Sequence, residues 1–256
     1  MFVDTHCHLH DDKLVDIDKV VSEFEHDGVG IAINAACCAL TSEKGKDLAE
    51  RFKSVYFMTG CHPSDVNGFD KQEFDRICAL TSHEKCVAVG EIGLDYYWPG
   101  FDKQKQQDAF ITQIELAYQS KLPFSIHSRD ATADTLKILK ENKSKLVYGA
   151  VMHCFSGSVE TARELLNLGL YISFAGPLTF KNARSLPDVA KFVPFDRCLT
   201  EPDCPYLAPH PLRGTINTPK NVSLVAARLA EIKEKDLDEF ASIVMQNAKR
   251  LFTKLN

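Results

Sequence analysis

The chain lacks any stretch that could cross a membrane as a helix. Its longest charge-free run, Leu165–Phe180, is 16 residues and is broken by Asn167, Gly169, Ser173, Gly176 and Pro177, short of the roughly 18 apolar residues a span requires. MFVDTHCH opens with no basic segment and no apolar one, so no secretory leader is expected and a cytoplasmic location is. No Cys-x-x-Cys pair occurs among the nine cysteines, which argues against a thiolate zinc knuckle. Reduced thiols in apolar strands are expected instead of disulfides. No block of five like charges occurs, and 30 basic against 35 acidic residues leave a net charge of −5. A protein that grips a nucleic-acid backbone by bulk charge is usually basic. A phosphate ligand here would therefore need a local attractor such as bound metal. Gly28-Val29-Gly30 lacks the rest of either nucleotide-binding fingerprint.

What is present is an alternation. The 256 residues, 45 % hydrophobic and 25 % charged, are ordinary for a globular protein and match the size at which α/β barrels fold as one domain. Strand candidates are Met1–His6, Val29–Asn34, Val55–Gly60, Val87–Glu91, Pro123–His127, Gly149–His153, Leu170–Ser173 and Arg197–Thr200. Amphipathic segments at Lys13–His26, Asp102–Ser120, Ala131–Glu141 and Val159–Leu168 lie between them, and helices near Lys220–Ile232 and Leu237–Phe252 close the chain. Eight strands alternating with helices predict a parallel α/β architecture, a TIM-like (β/α)8 barrel ahead of an open doubly wound sheet. No repeat or linker divides residues 1–256, so a single domain is expected.

Polar residues recur at one place in this pattern. His6 and His8 share one side of the first strand end. Glu91, His127 and His153 each end an apolar run, and Asp203 follows Cys198-Leu199-Thr200. Catalytic residues of α/β barrels collect at the C-terminal strand ends. Four histidines and two carboxylates without a thiolate suit Zn²⁺, Mn²⁺ or Mg²⁺, as a pair bridged by a carboxylate. Cys7 and Cys154 adjoin ligand candidates but alternate to the opposite face, which predicts that both are core.

Together, FVDTHCHLH, VGEIGLDYY, SIHSRDA, MHCFSGS and EPDCPYL resemble the TatD-type metal-dependent deoxyribonucleases. The likeness continues through ISFAGPLTFKNA, PHPLRGTIN and NAKRLF and so covers nearly the whole chain. It implies a metal-dependent hydrolase barrel that cleaves DNA phosphodiesters. It also implies a binuclear site, with His6, His8, Glu91 and Asp203 around one metal and Glu91, His127 and His153 around the other. The chain departs from the family pattern at His10, where Asp or Asn is usual, at Ser64, where His is frequent, and at Pro202, where Glu-Thr-Asp is usual.

The residues agree with that chemistry. A divalent pair lowers the pKa of water and neutralises phosphate oxygens, Asp203 can accept the proton of that water, and Arg129 can stabilise charge on phosphorus. Lys181 and Arg213 are further phosphate contacts, and His62 is a substrate contact. Tyr96, Tyr97 and Trp98, with Phe101, form an aromatic cluster on which unpaired bases could stack. The expected substrate is thus DNA, cut exonucleolytically at single-stranded ends with Mg²⁺ or Mn²⁺, or Zn²⁺. RNA or tRNA remains open. The alternative is a metal-dependent ester or amide hydrolase such as a D-aminoacyl-tRNA deacylase, and a third possibility is a barrel that keeps metal only structurally. No obligate protein partner is implied.

Overall fold

The computed structural model describes residues 1–255. β1 (Phe2–Cys7) is followed by β2 (Val29–Asn34), β3 (Val55–Thr59), β4 (Cys86–Asp95), β5 (Phe124–Arg129), β6 (Ala150–Met152), β7 (Tyr171–Phe174) and β8 (Cys198–Thr200). The strands form one parallel sheet in chain order. The connections carry α1 (Ile17–Ser22), α2 (Ala39–Arg51), α3 (Lys71–Leu80), α4 (Lys103–Ser120), α5 (Thr132–Glu141), α6 (Val159–Asn167) and α7 (Leu186–Phe192), and α8 (Val222–Ile232) and α9 (Leu237–Leu251) follow the last strand. The sheet curls until β8 lies beside β1, a nearly closed (β/α)8 barrel of the TIM type. Side chains join the seam: Thr5 Oγ1 donates to the Thr200 carbonyl at 3.1 Å, and Thr200 Oγ1 to that of Val3 at 3.4 Å. Beyond the strand ends, the N–H of Asp203 donates to the carbonyl of His6 at 3.2 Å, and that of His8 to Cys204 at 2.7 Å.

Local chemistry sets the helix ends. Asp102 caps α4 by accepting the N–H of Lys105, and Lys121 stops it in the left-handed region at φ 55°. Asp236 caps α9 by accepting from Asp238 and Glu239. The acidic first turn and the basic Lys249 and Arg250 of its last turn both complement the helix dipole. Asp16, at φ 59°, caps α1, so this helix is shorter than the amphipathic segment Lys13–His26. α2 falls outside the periodic segments because its buried face is Ala39, Ser42, Gly45, Leu48 and Ala49, mostly too small to make an apolar stripe.

All eight strand candidates are strands, each covered by barrel interior on one side and helices on the other; every residue of β4 is buried. Two ladder irregularities shape the C-terminal mouth of the barrel. The β1–β2 register shifts between Asp4 and Cys7, and the β4–β5 register shifts between Val89 and Ile92. At the first, the Asp4 carboxylate accepts the N–H of His6 at 3.0 Å. At the second, the N–H of Glu91 leaves the ladder for the Ala36 carbonyl at 2.8 Å. Such irregularities re-aim side chains, and here they re-aim His6 and Glu91. Among the described residues, no helix is long and apolar enough to cross a membrane.

Candidate metal centre

Glu91 stands at the centre of the C-terminal barrel mouth, and its two oxygens face opposite ways. Oε1 lies 2.8 Å from His127 Nδ1 and 2.7 Å from His153 Nε2, while Oε2 lies 3.2 Å from His6 Nε2 and 3.8 Å from His8 Nε2. Asp203 Oδ1 closes the second side at 3.4 Å from His8 Nε2 and 4.0 Å from His6 Nε2. All six ligand candidates of the sequence therefore meet at one place. His6, His8 and Asp203 offer donor atoms within 4.8 Å of one another, as do His62, Glu91 and His127. Imidazole nitrogens and carboxylate oxygens in sets of this size fit divalent cations.

The electrostatics have one theme. Burial would raise the Glu91 carboxyl, but His153, His62 and His6 around it hold it well below the ordinary range. Burial likewise opposes ionisation of Asp203, and the hydrogen bond from His8 together with His153 and His6 lowers it. His153 is held well above an ordinary imidazole, against burial, by Glu91 and Glu201. His6 is lowered by burial and by His153. Burial thus opposes the charge on Glu91 and Asp203 while neighbouring imidazoles favour it, and a divalent cation would supply such positive charge in compact form.

Two residues of the centre carry no metal-ligand signal in the sequence. Glu201 is almost fully buried and takes three hydrogen bonds: His153 Nδ1 at 3.1 Å, the N–H of Cys154 at 2.6 Å and Ser173 Oγ at 2.6 Å. Asp95 Oδ2 stands 3.0 Å from His127 Nε2. Both orient a histidine from behind. The spacing held a faint pointer, because Glu201 is two residues before Asp203 and Asp95 is four after Glu91 on one strand.

One expectation is corrected. Cys7 is core, but Cys154 lines the central cavity. β6 ends at Met152 and Cys154 turns into the left-handed region at φ 42°, so strand alternation does not reach it. Burial, with Asp203 and Glu201 nearby, pushes its thiol well above the ordinary range. All nine cysteines are free; five are buried, and Cys78 is exposed.

The cavity over the centre holds about 640 Å³ and is lined also by His62, Trp98, Arg129 and Tyr206. His62 Nε2 lies 3.6 Å from Glu91 Oε1, and its Nδ1 pairs with Ser64 Oγ at 2.6 Å. Burial, together with the nearby His127 and His8, lowers His62 to about 3, although Glu91 works the other way. Arg129 forms no ion pair among the described residues; Asp134 is taken by Lys103 at 2.7 Å. Its guanidinium sits 3.5 Å from the Tyr97 ring centroid. Tyr97 and Trp98 are exposed, whereas Tyr96 turns away, stacks on Phe101 at 4.8 Å and donates its hydroxyl to Asp134. Lys181 and Arg213 face a separate rim pocket. His10 bonds to Asn34. Pro202 lies between two satisfied N–H groups, and its carbonyl accepts from Asn217 Nδ2 at 2.7 Å.

A barrel whose mouth gathers histidines and carboxylates in this way is the frame of metal-dependent hydrolases. Its fold matches that of the TatD homologue YjjV from Escherichia coli K12 at a TM-score of 0.93, with 30 % identity over 98 % of both chains. In sequence it is 42 % identical to the metal-dependent hydrolase YabD of Bacillus subtilis, over 98 % of this chain and 99 % of that one. It is 40 % identical to the metal-dependent hydrolase YcfH of E. coli K12, over 98 % and 95 %. The TatD related DNase family matches residues 3–253. The chain belongs to the TatD family, and it is a metal-dependent hydrolase.

Proposed function

We propose that the protein is a metal-dependent deoxyribonuclease that hydrolyses phosphodiesters exonucleolytically at single-stranded DNA ends. The observation that carries this is the division of Glu91, one oxygen toward His127 and His153 and the other toward His6 and His8. A bridging carboxylate between two cations is built that way. His6, His8, Glu91 and Asp203 would hold one divalent ion, and Glu91, His127 and His153 the other, with Mg²⁺ or Mn²⁺ suited to the carboxylates and Zn²⁺ to the imidazoles.

When bound, such a pair acidifies water and neutralises phosphate oxygens. Asp203, ionised and at the cavity wall, accepts the proton of the attacking water. Arg129, free of carboxylates, directs its guanidinium at charge building on the phosphate. His62 borders the same space with its ring fixed by Ser64. Tyr97, which also carries the Arg129 guanidinium over one face of its ring, and Trp98 are exposed platforms for unpaired bases. The family description, TatD related DNase, supports DNA as the polymer.

A single panel tests the proposal: single-stranded DNA, duplex DNA, RNA and D-aminoacyl-tRNA, each with Mg²⁺, Mn²⁺, Zn²⁺ or EDTA. Single-stranded DNA should be shortened from an end, with EDTA abolishing the reaction. Replacing Tyr97 and Trp98 by Ala should raise KM more than it lowers kcat, because stacking binds ground and transition states alike. Deacylation of the tRNA without cleavage of DNA would overturn the proposal.

A further inference from the structure

We propose that the rim pocket between the loops after β7 and β8 binds a backbone phosphate of an extended DNA strand, away from the bond being cut. This binding, which rests on the nuclease reading above, makes a chain of several nucleotides the substrate the protein holds well, in preference to a small phosphodiester.

The pocket, about 350 Å³, is lined by Phe180, Lys181 and Asn182 from one loop and His210 and Arg213 from the other. Neither Lys181 nor Arg213 forms an ion pair among the described residues, although the protein carries a net charge of −5. By contrast, Lys103 and Lys140 are neutralised by Asp134 and Glu164 at 2.7 and 2.6 Å. Two cations without ion pairs, on separate loops, border it together with an amide and an imidazole, all exposed and all capable of donating to phosphate oxygens. The Arg213 guanidinium lies 4.4 Å from the Phe180 ring centroid. Stacking holds the group in place and leaves its N–H edge free.

The backbone beneath the pocket is held before any ligand arrives. A Cβ on Gly176 would lie 1.8 Å from the Leu207 carbonyl oxygen, so only glycine lets the loops touch there. The N–H of His210 donates to Thr179 Oγ1 at 2.8 Å, and that hydroxyl donates to the Gly176 carbonyl at 2.7 Å. Asn217 Nδ2 ties the Pro202 and Tyr206 carbonyls at 2.7 Å each. Backbone already held in place loses little conformational freedom on binding. The same two loops also reach the metal centre, because Pro177 and Leu207 line the central cavity. A strand whose end lies over Glu91 can therefore run across Pro177 and Leu207 to the rim, and loops after strands 7 and 8 are a recurrent phosphate site in barrels of this type.

The test uses the full chain carrying K181A/R213A, with K181R/R213K as the charge-conserving control. Each is assayed with Mn²⁺ on a single-stranded oligonucleotide, a dinucleotide and bis(p-nitrophenyl) phosphate. Binding of the oligonucleotide is measured separately in EDTA. The alanine variant should raise KM for the oligonucleotide about tenfold and flatten the log–log salt dependence of binding by about 0.7 for each phosphate it no longer neutralises. The loss on the two small substrates should be far smaller than on the oligonucleotide, and the control should keep most of the oligonucleotide affinity. An unchanged KM and salt dependence, or an equal loss on all three substrates, would overturn the pocket assignment. If the wild-type protein cleaves no phosphodiester, the nuclease reading falls and the binding measurement alone decides: weaker binding by the alanine variant upholds the pocket, and equal binding overturns it.

Discussion

The two flanks of Glu91 use the same residue type and hold it differently. On one flank, His127 and His153 each turn their second ring nitrogen to a carboxylate, Asp95 at 3.0 Å and Glu201 at 3.1 Å. On the other, His6 Nδ1 has the Ser125 hydroxyl at 3.4 Å and His8 Nδ1 the Ala35 carbonyl at 3.1 Å. A carboxylate behind an imidazole raises its strength as a donor, whereas a hydroxyl or carbonyl mainly fixes the ring. The electrostatics divide the same way for three of the four rings: burial opposes the charge on each, yet carboxylates raise His127 and His153, while His6 is lowered. His8 is raised against burial as well, by Asp203 in front of it rather than by its support. Two cations held by these flanks should not be equivalent, and the carboxylate-backed flank should hold its ion more tightly.

Glu91→Ala breaks both flanks at once. Turnover should fall by more than about 10³-fold, and metal analysis of the purified variant should find both ions lost. Retention of one tight ion would mean the flanks do not share the carboxylate. Arg129→Ala tests substrate charge beside the carboxylate-backed flank, with an expected loss of about 10²-fold in kcat at unchanged metal content. Glu201→Gln and Asp95→Asn sharpen the comparison. Each should weaken one ion by about 10–100-fold in a Mn²⁺ titration and leave the other in place. Ser125→Ala removes the hydroxyl behind His6 and should cost no more than about threefold in metal affinity. A loss as large as that of Glu201→Gln would erase the difference between the flanks.

The ligand candidates were legible because each closes or follows a short strand-forming run, and the C-terminal half of a barrel strand and the residues just past it are a fixed address in space. Glu201 and Asp95 were not, because a carboxylate acting through a histidine obeys no spacing rule of its own. Cys154 misled because alternation presumes a strand, and β6 stops two residues earlier. The shape of the cluster after Glu91 was also hidden: sequence groups Tyr96 with Tyr97 and Trp98, but only packing against Phe101 and Asp134 turns Tyr96 away. Lys181 and Arg213 lie far apart along the chain, and their meeting depends on the close approach of Gly176 to Leu207.

The seam between β8 and β1 bears on how the enzyme is born. Thr5 and Thr200, which pin it, are 195 residues apart in the chain, and the peptide groups of His6 and Asp203 meet across the same gap. During synthesis the histidines of β1 emerge first and wait for almost the whole polypeptide before their acidic counterpart exists. A chain broken off before β8 carries His6, His8, Glu91, His127 and His153, yet has no closed wall to hold them in register and no Asp203 beside His8. Contacts so distant in sequence form late and only in a nearly complete fold. The site is therefore complete only when the last strand meets the first.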